Sequence, residues 1–165
     1  MWFLYKGVTL TKDNLAKKGW QGNVKCCFCN LRETIQHLFF SCHWAKLIWR
    51  IFSIAFNINP PNNIQHVFTD WLATTPLKQK RLIWSGISAL CWALWLSRNN
   101  VVFDNQQVPS CLQVISRATY WARTWSLLLN DEDRLKTKTT CRVLEFVGME
   151  VFANNGWRFN NRIAN

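Results

Sequence analysis

Acidic residues are scarce in this chain. Nine Asp and Glu stand against 20 Lys and Arg, for a formal net charge of +11. A surface that basic favours an anionic partner, and nucleic acid is the commonest one. Plain solubility competes as an explanation, since net charge is neither a fold nor a site. Long apolar runs are also missing. The longest uncharged stretch of interest, Leu82 to Ser97, is interrupted by Ser85, Gly86 and Ser88. It falls short of the roughly 20 apolar residues a membrane span needs and reads as a buried central helix, so no membrane partner is expected. The opening "MWFLY" reaches Lys6 too soon to be the apolar core of a signal peptide. The expected location is nuclear or cytoplasmic, not secreted. Internal repeats are absent.

What is present is aromatic bulk and cysteine. Eleven Trp and eleven Phe, with 49% hydrophobic residues, exclude wholesale disorder and predict a core of large aromatic plates. At 165 residues the chain is long enough to bury one. Seven cysteines is an odd count, and without secretion clustered thiols read as metal ligands or reduced thiols rather than disulfides.

Four cysteines and two histidines crowd into "KCCFCNLRETIQHLFFSCHW". The spacing Cys26-x2-Cys29-x7-His37-x4-Cys42 offers four soft or borderline ligands from two short segments, as tetrahedral zinc requires. His37 and Cys42 would not share a face of an unbroken helix, so a kink near Phe40–Ser41 is expected. Leu38, Phe39 and Phe40 should pack beneath it. Cys27 and His43 adjoin proposed ligands, which leaves the register open by one at either end. A redox pair lacks a strand-helix-strand setting, and covalent haem lacks a histidine after Cys29. Buried thiols acting as small hydrophobes remain the simpler rival.

Helical signals dominate the rest. "TLTKDNLAKKGW" reads as a short helix capped by Thr11 and stopped at Gly19, with Leu15 and Ala16 inward and Lys12, Lys17 and Lys18 outward. Trp44 to Phe56 has helical spacing, with Trp44, Leu47, Ile48 and Ile51 on the inner face and Ile54 or Ala55 continuing it. "NINPPNN" breaks it, and "IQHVFTDWLA" suggests a shorter helix. Thr75-Pro76 should start a long helix through Phe103, with Pro76 at its first position. Ser110 should cap a last long helix packed antiparallel on it. Lys78, Lys80 and Arg81 mark either a binding patch or a solvated face. Arg98 and Asn99, beside Trp92 and Trp95, read better as the end of the central helix than as a base-stacking contact. His66 reads as a surface residue. Beyond Asn130 the pattern fades, "CRVLEFVGMEVF" could be strand or helix, and residues 154–165 look like a loose end. Asp131, Glu132 and Asp133 are consecutive, so a solvated cap fits them better than a two-metal site.

The segments "LTKDNLAKKGWQGNVKCCFC", "ETIQHLFFSC" and "AKLIW" resemble the zinc-binding domain at the C-terminal side of reverse transcriptases in plant non-LTR retrotransposons (LINE-type elements). The resemblance covers Trp2 to about Trp49. "WALWLSRNNVVFD" resembles a stretch that often follows it. This implies Zn2+ held by Cys26, Cys29, His37 and Cys42. Met1 begins inside the pattern. No pair of aspartates on a hairpin and no separated ribonuclease H carboxylates are visible, so the chain reads as a detached, non-enzymatic end of a retroelement product.

The expected fold is mostly α, with a small zinc-stapled N-terminal lobe packed on a helical hairpin or bundle. Residues 1–57 form the zinc-binding domain, 64–130 the helical region and 131–165 a tail of uncertain order. The expected function is low-specificity contact with RNA or DNA through Lys12, Lys17, Lys18, Lys25 and Arg32. Residues 1–50 carry more than half of the net charge. No small-molecule substrate is expected, and other retroelement proteins are candidate partners. A protein-interaction scaffold, or a relic without a selected role, is the alternative.

Overall fold

A computed structural model describes residues 1–160, with side chains through residue 154. Helices make up most of it: α1 (Trp2–Tyr5), α2 (Lys12–Lys17), α3 (His43–Phe56), α4 (Ile64–Phe68), α5 (Leu77–Phe103), α6 (Cys111–Ser126) and α7 (Asp131–Asn160). A π-helical turn, His37–Ser41, precedes α3. Among the described residues no strand forms, and one isolated antiparallel bridge joins Lys25 to Arg32. No described helix is long and apolar enough to cross a membrane.

Local chemistry explains most boundaries. Asn57, in the left-handed region at φ 51°, ends α3 ahead of the two prolines. Asn63 Oδ1 accepts from the His66 amide and starts α4. Ser110 and Gln113 form a reciprocal capping box at the start of α6. The long helix α5 begins one residue later than expected, with Pro76 as its cap rather than its first turn.

α5, α6 and α7 run up and down beside one another. Ser97, Trp92 and Ala89 of α5 meet Arg117, Trp121 and Ala122 of α6 in reverse order. On the other side of α6, Leu112 and Ile115 face Gly148, Thr119 meets Glu145, and Cys141 bonds the Thr119 carbonyl. The weakly patterned segment after Asn130 is therefore a helix docked on α6. Its buried stripe is Thr137, Cys141, Leu144 and Gly148. The expected loose end at 154–165 lies partly outside the described residues.

α3 lies against this bundle. Its buried face is Ala45, Ile48, Trp49, Ile51 and Phe52. That face is rotated from the expected one: Ile54 is 52% exposed, and Trp49, whose indole donates to the Phe39 carbonyl at 2.7 Å, takes the centre. The approach to α5 is close. A Cβ on Gly86 would stand 3.1 Å from the Phe52 ring. Gly86→Val should therefore overpack this contact and lower stability by about 1–3 kcal/mol, read as a lower urea midpoint. One contiguous core runs from Leu4 and Phe28 through α3 and α5 to Leu144 of α7.

Candidate metal centre

The first two cysteines lie on a tight knuckle. Lys25 and Arg32 bridge its base, the Cys26 amide donates to the Leu31 carbonyl at 2.6 Å, and the Asn30 amide donates to the Cys26 carbonyl at 3.0 Å. Asn30 takes the left-handed conformation that closes the turn, at φ 63°. Inside the loop the Phe28 amide points at Cys26 Sγ, 3.4 Å away.

The second pair comes from the π turn. The Cys42 amide donates to the His37 carbonyl at 2.8 Å, an i→i+5 bond. That one wide turn realises the kink expected near Phe40–Ser41 and brings His37 and Cys42 to one side. Leu38, Phe39 and Phe40 are buried beneath, as expected.

One donor atom each from Cys26, Cys29, His37 and Cys42 lies within 4.8 Å of the other three. Cys29 Sγ and His37 Nε2 are 3.0 Å apart. Tetrahedral zinc with thiolate and imidazole ligands separates its donors by about 3.5–3.8 Å, so this set fits zinc with small adjustments. The register is that of Cys26 and Cys42. Cys27 packs half-buried against the core, and His43 is exposed at the start of α3. Hydrogen bonds from the Cys27 and Cys42 thiols hold the Cys26 thiol far below its usual pKa, while Cys27 and Cys42 are pushed up. A thiolate is thus favoured at Cys26, and zinc would deprotonate the remaining thiols.

Residues 1–49 match the family model described as zinc-binding in reverse transcriptase. No curated protein and no solved structure gives a significant match to the chain. The N-terminal lobe fits a zinc-binding domain of reverse-transcriptase type, and zinc is its cofactor.

Around this zinc-binding lobe the expected cations divide. Lys17, Lys18, Lys25 and Arg32 are exposed. Lys17 lies 4.0 Å from Asp13. Lys12 corrects its expected place on the outer face. It is 7% exposed, and its ammonium donates to the Lys25 carbonyl at 2.6 Å. It ties α2 to the knuckle and is not a free surface cation.

Sequence reading missed the role of Glu33. Its Oε1 accepts from the Lys12 amide at 2.8 Å and from Arg98 Nε and Nη2 at 3.0 and 2.7 Å. Both side chains of the pair are wholly buried. Arg98 is therefore neither a nucleic-acid contact nor a cap for the last carbonyls. It sits within α5, its guanidinium 5.1 Å from the Trp95 ring, and anchors the long helix to the zinc lobe. Both residues lie in segments that carry the resemblance, yet nothing in their spacing pairs them. His66 is held locally, its Nδ1 accepting from the Asn62 amide. Asp131, Glu132 and Asp133 occupy the first turn of α7, where negative charge suits the helix dipole.

Proposed function

We propose that the chain is a zinc-stapled, non-catalytic module that contacts RNA or DNA with low sequence specificity, derived from the C-terminal side of a plant non-LTR retrotransposon reverse transcriptase. The observation that carries this reading is the pair Lys25 and Arg32. They stand opposite each other across the knuckle bridge, both exposed, with no carboxylate partner among the described residues. Like charges facing each other cost stability, so a polyanion that neutralises both is the natural partner. Lys17 and Lys18 of α2 extend the charge on the same lobe.

Zinc supplies rigidity here rather than chemistry. Four protein ligands fill a tetrahedral site and leave no position for a reacting water. The purified chain is expected to incorporate no nucleotide on a primed template.

Binding is tested by fluorescence anisotropy of a labelled oligonucleotide across a salt series. Four phosphate contacts on a single strand give a slope of about −3 in log K against log salt. Lys25→Gln/Arg32→Gln should make the slope shallower by about 1.4. A flat salt response favours a second reading, a protein-interaction module. The observation supporting that alternative is an apolar groove of 770 Å³ lined by Phe3, Leu10, Trp92, Trp95 and Trp125.

A further inference from the structure

A large groove lies away from the knuckle, between α3 and the segment from Ile58 to Pro76. At 1140 Å³ it exceeds the roughly 300–1,000 Å³ of ordinary small-molecule sites. One wall is a stripe of α3 and its C-cap: Lys46, Arg50 and Ser53, followed by Asn57. This spacing of four, three and four residues keeps the stripe on one side of the helix, beside Trp49, which also lines the groove. Lys46 and Arg50 are exposed, and no carboxylate among the described residues pairs with either. Ser53 Oγ has no hydrogen-bond partner.

Asn59, Asn62 and Gln79 also line the groove, as does Trp71. Trp71 is held by a 2.7 Å bond from Nε1 to the Asn59 carbonyl and by edge contact with Trp49. No Asp or Glu lines the groove; Asp70, the nearest in sequence, faces His66 at 4.0 Å.

We infer that this groove binds a segment of single-stranded nucleic acid, with phosphates on Lys46 and Arg50 and a base against Trp71. The two cations stand one helical turn apart, about 6 Å along the axis, a spacing suited to neighbouring phosphates of an unstacked strand. A fixed indole accepts any base face, which makes the site tolerant of sequence. The side-chain amides of the groove can donate to and accept from base edges. An acidic peptide would use the cations but gain little from the indole and the amides. Phe40 and Ser41, directly before the ligand Cys42, line the groove, so the metal lobe and this groove share the π turn. The inference rests on the nucleic-acid reading above but names a separate surface.

The test is an anisotropy titration of short fluorescein-labelled oligothymidylate on the full chain loaded with zinc. It compares wild type, Lys46→Gln/Arg50→Gln and Lys25→Gln/Arg32→Gln. The groove variant is expected to lose about tenfold in affinity near physiological salt and about 1.4 in slope. An iodouracil-bearing oligonucleotide should cross-link to Trp71, located by peptide mass spectrometry. Wild-type affinity and slope in the groove variant, with loss only in the knuckle variant, would overturn the groove and leave the general function standing. Absence of any oligonucleotide binding by wild type would remove both. Displacement by polyglutamate as effective as by unlabelled oligothymidylate would replace the nucleic-acid occupant with an acidic chain.

Discussion

Cys29→Ser protein is expected to purify with little or no zinc and to lose cooperative folding well beyond the knuckle. Structural zinc in small modules contributes an apparent 10–16 kcal/mol, as much as the whole stability of a typical domain. Two of its ligands, Cys26 and Cys42, belong to the same contiguous core as Phe52 of α3, Ile87 of α5 and Leu144 of α7. Releasing the metal frees the π turn, and with it the start of α3. The far-UV circular dichroism melt should therefore shift to lower temperature for the whole helical signal. Chelator should do the same to wild type, with reversal on adding zinc. Cys27→Ser should keep one zinc per chain, because its thiol lies outside the cluster. Equal metal content in wild type and Cys29→Ser, or an unshifted helical melt in chelator, would contradict this account.

Arg98→Met should be the most damaging single change outside the metal site. Glu33 is wholly buried, and this substitution leaves its carboxylate without a counter-charge. Breaking one side of a buried pair costs about 3–5 kcal/mol. Glu33 also receives the Lys12 amide, so the entry to α2 should loosen as well. The double variant Glu33→Gln/Arg98→Met should recover part of the loss, since a neutral amide is far less costly to bury than a lone carboxylate. Arg98→Lys should not substitute well, because two guanidinium nitrogens hold Oε1 and an ammonium cannot copy that geometry. Urea denaturation of the four proteins gives the comparison. If Arg98→Met unfolds at the wild-type midpoint, the pair is not what joins the lobe to the helices. If it alone loses oligonucleotide binding while keeping its stability, Arg98 belongs to the contact surface after all.

The sequence by itself pointed to the candidate ligands, with the register open by one, and to most of the helices. Zinc ligation depends on residue type at short spacing, so Cys26, Cys29, His37 and Cys42 stood out before any fold was known. α5 and α6 were legible because long apolar patterns and a capping serine are local features. α7 was not, because its buried stripe of Thr137, Cys141, Leu144 and Gly148 is small and partly polar, while Val143, Phe146 and Met149 face outward. That helix is defined by close approach to α6, a property of the partner surface as much as of its own residues. Tertiary structure alone decided the fate of the charges. Lys12 looked like Lys17 and Lys18 in sequence, yet α2 docks with that one side chain turned toward the Lys25 carbonyl. Arg98 looked like a helix-end residue, yet it meets a carboxylate 65 positions away. Burial of a charge depends on which distant groups converge on it, and spacing along the chain carries no record of that convergence.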